Sequence, residues 1–258
     1  MQITADSVRF EDLTINSAGQ QLCVIEICSI GSLAMMHCTV EGGAEVAVSG
    51  PWAEYNCSEC SSGSSSGGSI YAKSSTIHSS KGGGLWVGNG CRVVMEECSV
   101  NDSKYAGVDV CGSGSSFTAT QSSVGRNGDD NVLVSGGAVA NLHYVCSNSS
   151  KRGDGWSVQD KGSSLTAHHS HADSNTGSGV CIAHGGHAML HSCVCSDNGS
   201  GFRDSSKGGS GWCVLNEGTL TAHYSHANNN ARSGVCVAHG GHAMLRSCVC
   251  SDNRRRGL

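Results

Sequence analysis

The chain has 258 residues, a formal net charge of −5, 37 glycines, one proline and only 5% aromatic residues. Its acidic balance gives nucleic acid no electrostatic footing, since Arg254-Arg255-Arg256 is the one basic run. No apolar run approaches the roughly 18 residues of a membrane span, and the start MQITADSVRF lacks the apolar stretch of a secretion signal.

Residues 1–83 are weakly patterned. LAMMHCTV (33–40) and AEVAVSG (44–50) read as coil fragments, and SSGSSSGGS (61–69) reads as a loop. From 84 to 258 a strict pattern takes over, and the two stretches are expected to form one continuous domain. Each coil opens on a triplet with apolar outer residues: Leu85-Trp86-Val87, Val108-Asp109-Val110, Val132-Leu133-Val134, Trp156-Ser157-Val158, Val180-Cys181-Ile182, Trp212-Cys213-Val214 and Val235-Cys236-Val237. Successive triplets are 23 or 24 residues apart, except for one step of 32 that holds an insert at 199–210. Alternation within the triplet is strand period. Six triplets follow a glycine and the third follows Asn131.

A second apolar set follows in each coil, for example Leu165/Ala167 and Ala188/Leu190. A third comes after a two-residue corner, for example Ser170/Ala172 and Cys193/Cys195. Three short strands cannot bury a core alone, but stacked coils enclose one. At one coil per 23 residues the length allows about 11 coils. Residues 155–198 and 211–253 are near copies, so much of what recurs is duplicated scaffold. After Asn253 the chain reads RRRGL where another strand is due, which predicts that the chain continues or that another element covers the end.

This pattern resembles the right-handed parallel β-helix repeat family, the pectate-lyase-like fold. The resemblance implies an all-β, single-stranded solenoid of about 23–24 residues per coil. It implies no single activity, because the family hosts lyases, hydrolases, epimerases, tailspikes and interaction scaffolds.

Pectin- and alginate-active members carry catalysis on the outward face of the first strand and its flanking turns. Here that column is Trp86, Asp109, Leu133, Ser157, Cys181, Cys213, Cys236, without the basic residue and calcium-binding carboxylates of a lyase. The candidate catalytic set is therefore Asp109, Asp129, Asp130 and Asp154, with Lys104, Arg126 and Arg152 in adjoining turns. Gly128-Asp129-Asp130 resembles the Gly-Asp-Asp element of polygalacturonases, where paired carboxylates act as general acid and base. The preceding coil has Lys104-Tyr105-Ala106 in place of the Asn-Thr-Asp element, and Arg-Ile-Lys is absent.

Sixteen cysteines raise the question of disulfides. Cys193/Cys195 and Cys248/Cys250 fall on inward positions two coils apart, about 10 Å, which a disulfide cannot span. They are expected to be free, buried fillers, a reading that favours an intracellular location. Cys181, Cys213 and Cys236 form an outward thiol row, open to oxidation or soft-metal binding. Cys57 and Cys60 make a lone CxxC. His143, His168, His191 and His223 align in one outward column ahead of Arg246. Such a ladder chelates transition metals weakly, through adjacent pairs, and no dedicated cofactor is expected. In the His184/His187 and His239/His242 motifs the central glycines are expected to make turns. The expected function is a non-catalytic scaffold or interaction module for a protein or polysaccharide partner. The alternative is a carbohydrate-active β-helix using the acidic turns, and the third reading is a metal- or thiol-responsive surface.

Overall fold

The structure, a computed structural model, describes residues 2–3, 7–16, 23–27, 31–42, 46–49, 67–78, 81–199 and 209–254. Cys57, Cys60, most of the 61–69 loop and most of the 199–210 insert lie outside these residues, as do 44, 45 and 50 of AEVAVSG.

All described strands pair in parallel, and no described segment is helical. The first sheet has ten strands, from Gln2–Ile3 to Val235–Val237. The second also has ten, from Ser7–Glu11 to His242–Arg246. Successive turns of the chain add one strand to each, so the molecule is a right-handed β-helix of ten rungs among the described residues. Length alone suggested one more.

The third sheet departs from three strands per coil. It has five strands, from Thr14–Asn16 to Ser123–Gly125, and then shrinks to single bridges at Cys146, His171, Val194, His226 and Val249. Two residues beyond some of these bridges, side chains accept the N–H that a longer strand would use. Asn148 Oδ1 takes Asp173 N at 3.0 Å, Asp173 Oδ1 takes Ser196 N at 2.7 Å, and Asn228 Oδ1 takes Ser251 N at 2.9 Å. Short polar side chains thus replace sheet with turn.

Inside, volume is traded within each coil. Trp156 and Trp212 are fully buried in coils whose third set ends in Ala172 and Ala227. The coil between them pairs the smaller Val180 with Cys195. The inward cysteines fill space that alanine leaves where no tryptophan reaches. The last rung differs from expectation. Val237 is 45% exposed, and Cys248 and Cys250 are half-buried and exposed, because no coil lies beyond them among the described residues.

Each coil turns at a corner residue with positive φ that is not glycine. Gln121, Tyr144, His169, Ser192, Tyr224 and Ser247 all have φ between 49° and 55°. A second such column precedes an inward position shared by Ser103, Asn127, Ser150, Asn175, Asn198, Asn230 and Asn253, whose asparagine amides stack. Asn175 Nδ2 donates to Asn198 Oδ1 at 3.2 Å, Asn198 to Asn230 at 3.0 Å and Asn230 to Asn253 at 3.0 Å. Each amide oxygen also accepts a backbone N–H of the previous rung, as Asn198 Oδ1 does from Asn175 N at 2.9 Å.

This ladder explains the glycine before each triplet. A Cβ on Gly107 would stand 2.3 Å from Asn127 Nδ2, and one on Gly155 would stand 2.7 Å from Asn175 Nδ2. It also explains the exception. Ser150 is too short to fill its rung, and Asn131 supplies the missing amide. Asn131 accepts from Asn127 Nδ2 at 3.0 Å and donates to Asn175 Oδ1 at 2.9 Å.

Candidate functional site

Asp130 and Asp154 occupy the position two before the first strand of their coils. Gly128, two residues ahead of Asp130, has room for no side chain, because a Cβ would strike the Lys104 carbonyl oxygen. Asp130 and Asp154 sit on adjacent rungs, both half-buried. Asp130 Oδ1 accepts Asp154 N at 2.6 Å, and Asp154 Oδ1 accepts Ser178 N. Ser178 Oγ continues the series by accepting Ser210 N at 3.2 Å. These side chains therefore tie each coil to the next.

Burial pushes the Asp154 carboxyl up to about 8, with the charge of Asp130 adding to it. Asp130 is raised as well, first by burial and then by Asp129, against hydrogen bonds from Asp154 N and Ser157. The other two acids stand apart. The Asp129 carboxylate lies 3.2 Å from Arg152, whose Nε also donates to Gly128 O at 3.2 Å. Asp109 pairs with Leu133, and Leu133 with Ser157, so one rung separates Asp109 from the Asp130–Ser157 contact. The four acids thus form an adjacent pair and two outliers. Of the basic neighbours, Arg126 holds Asp102 bidentately at 3.2 and 2.8 Å and keeps its carboxyl below the usual range. Lys104 lies over the Tyr105 ring.

The acidic pair meets the thiol row, a junction that the sequence reading did not make. The Cys181 thiol lies beside the Asp154 carboxyl. The register sets Ser157, Cys181, Cys213 and Cys236 on consecutive rungs of the outer face, with all three thiols half-buried and free. The signal available in sequence was the fixed offset between the turn position and the strand middle in successive coils.

The histidine column lies on the second sheet. His143, His168, His191 and His223 pair rung to rung, and Arg246 follows. The His143 and His168 rings stack at 5.0 Å and 6°, while His168 and His191 tilt to 37° at 5.7 Å. Beside them Tyr144 stacks on His169 at 5.1 Å, and Tyr224 meets His191 edge-on at 5.6 Å. Burial, then His143 and His191, hold the His168 pKa below the usual imidazole value. Among the described residues no group of three or more His, Cys, Asp or Glu is placed to hold a metal ion. His184 and Gly185 take positive φ in the turn between the first two sheets, as His239 and Gly240 do one duplication later. A recess of about 310 Å³ on the second sheet, lined in part by Ala34, Tyr71, Arg92 and Val94, contains none of the candidate residues.

The family model for the right-handed β-helix region matches residues 60–211, more than half of the chain, and the chain belongs to that family. No curated protein matches it. Among solved structures it is similar to the A-module of the mannuronan C-5 epimerase AlgE4 of Azotobacter vinelandii, at 14% identity and a TM-score of 0.60. That match covers 94% of this chain and 68% of the other. It is also similar to the pectate lyase Pel9A, at 12% identity and a TM-score of 0.52, covering 90% of this chain and 68% of that one. At these identities the likeness establishes the shared fold.

Proposed function

We propose that the chain is a non-catalytic β-helix module that presents an edge of ring side chains to a polysaccharide or protein partner. The observation that carries this reading is the use made of the acidic pair. Asp130 and Asp154 each bind a backbone N–H of the next coil, so the carboxylates best placed for chemistry join rungs instead. Asp129, the remaining acid of the Gly-Asp-Asp turn, faces Arg152. By contrast, the edge between the second and third sheets carries Tyr144 at 58% and Tyr224 at 52% exposure, with His143, His168 and His191 alongside. Rings stacked along the helix axis turn their edges outward and offer hydroxyl and imidazole groups at one-coil spacing. A repeating polymer or a flat protein face can meet such a row at several points.

The second reading is a carbohydrate-active β-helix. It rests on the raised Asp154 carboxyl beside Ser157 and Cys181 on the outer face of the first sheet, and on fold relatives that include an epimerase and a lyase. Binding to an array of neutral and acidic polysaccharides separates the two. In the proposed reading, a Tyr144→Ala, His168→Ala, Tyr224→Ala triple variant loses binding while keeping its melting temperature within a few degrees. Binding that survives those changes but disappears in Asp154→Asn would place the contact on the first sheet and favour the enzyme.

A further inference from the structure

The duplication accounts for two of the three outward thiols and leaves the third unexplained. Cys181 and Cys236 hold matching places in the two copies, whereas Cys213 stands where the first copy has Ser157. Register puts this added thiol between the other two, since Cys181 pairs with Cys213 and Cys213 with Cys236. Partners on neighbouring strands lie about 4.8 Å apart. That falls inside the roughly 4.4–6.8 Å Cα range of a disulfide. The inward cysteines two rungs apart have no such option.

The surroundings of the three sulfurs differ. Cys213 accepts hydrogen bonds from Cys181 and from Cys236, and Arg232 adds positive charge nearby. The bond from Cys181 contributes most, and together these hold the Cys213 thiol down at about 7 against the effect of burial. Cys181 is raised by that same hydrogen bond, then by burial and by Asp154. Cys236 is raised by burial and by Cys213, but lies on the last described rung, clear of the acidic pair. The more exposed Cys146 and Cys250 are both raised by burial.

The geometry points to a thiol–disulfide exchange site for low-molecular-weight disulfides, with Cys213 as the attacking sulfur and Cys236 as the resolving one. The Cys213 thiolate attacks a disulfide RSSR, a new Cys213–SR bond forms, the R–S–S–R bond breaks, and RS⁻ leaves. The Cys236 thiol then gives its proton to that RS⁻, and its sulfur attacks Cys213. The Cys213–SR bond breaks as the Cys213–Cys236 bond forms, and a second RS⁻ leaves. Two protein sulfurs are oxidised and one small disulfide is reduced to two thiols. Cys181 is the poorer resolving group because its hydrogen bond to Cys213 and then burial hold its own proton on. Its hydrogen bond instead stabilises the Cys213 thiolate.

The test exposes the intact protein to oxidised glutathione at pH 7, quenches with acid, alkylates, and maps the cysteine peptides over time. Glutathione should appear first on Cys213 and then give way to a Cys213–Cys236 crosslink, with modification of Cys146 and Cys250 slower by about threefold or more, from their smaller thiolate fraction. Cys213→Ser folds, because Ser157 occupies the equivalent place in the first copy, and it should lose the fast phase. Cys236→Ser should stop at the mixed disulfide on Cys213. Earlier modification of Cys146 or Cys250, a Cys181–Cys213 crosslink, a fast phase that persists in Cys213→Ser, or no reaction at all would each overturn the assignment.

Discussion

Replacing Asn131 by glycine restores the residue that the repeat carries at every other triplet from 84 onward, and it should destabilise the protein. Asn131 is fully buried and makes two side-chain hydrogen bonds, from Asn127 and to Asn175. Losing them costs about 1 kcal/mol each, because the Asn127 amide nitrogen keeps only a long contact to Val100 O. The space vacated adds about 1 kcal/mol. Glycine's larger backbone entropy adds about 0.5–1 kcal/mol. The total is about 3.5–4 kcal/mol, or roughly 7–16 °C in melting temperature for a chain of this length. Ser150→Asn alone puts two amides where one fits and should cost about 1–3 kcal/mol by overpacking. The double variant rebuilds the ladder as the other coils have it and should return to within about 1 kcal/mol of wild type. Chemical denaturation gives the cycle, and hydrogen exchange over residues 127–175 shows where the loss falls. Additive singles, with coupling near zero, would refute the claim that Asn131 stands in for the short Ser150.

Other expectations follow from the same structure. The Asp154 carboxyl holds its proton in the fold to about 8 and in the unfolded chain only to about 3.9, so stability should fall as pH rises between those values. Asp154→Asn keeps an oxygen for Ser178 N–H and should flatten that decline. The His168 imidazole is shifted the other way, below its ordinary value, so its contribution is lost as pH drops below about 6.5. His168→Gln should remove that acid-side loss, and an imidazole proton titration by NMR gives the shift directly. Zinc should move the melting temperature by less than about 2 °C, since a ladder chelates only in pairs; a large rise lost in His168→Ala would reveal a built metal site. Denatured without reductant, the protein should alkylate fully at Cys193, Cys195, Cys248 and Cys250, and a bond joining the two pairs would contradict the register.

The first strand of each coil was legible because Val180 and Ile182, or Trp212 and Val214, alternate with an outward residue and follow a glycine. The purpose of that glycine was not legible. It clears an asparagine about 20 residues later, a relation that only the closed coil creates. The asparagines themselves recur at coil spacing, with Asn175 to Asn198 and Asn230 to Asn253 both 23 apart, and could have been found. The corners were opaque for another reason. Tyr144, His169 and Tyr224 adopt positive φ where sequence rules look for glycine or asparagine, and Gln121, Ser192 and Ser247 do the same in their coils, so the corner's place in the stacked coil dictates the backbone whatever the side chain. The acidic pair and the thiol row read as separate features, since Asp154 and Cys181 belong to different coils and meet only through the stagger between turn and strand.

The most direct test of the account is turnover. Wild-type protein and Asp154→Asn would be incubated with polymannuronate, alginate and polygalacturonate, and the products followed by reducing ends, by the ultraviolet absorbance of unsaturated uronates and by NMR of C-5 configuration. If Asp130 and Asp154 serve to join coils, neither protein changes any polymer, and Asp154→Asn is at least as stable as wild type at pH 8. Turnover by the wild type that disappears in a folded Asp154→Asn would contradict the scaffold reading and make this carboxyl a catalytic group.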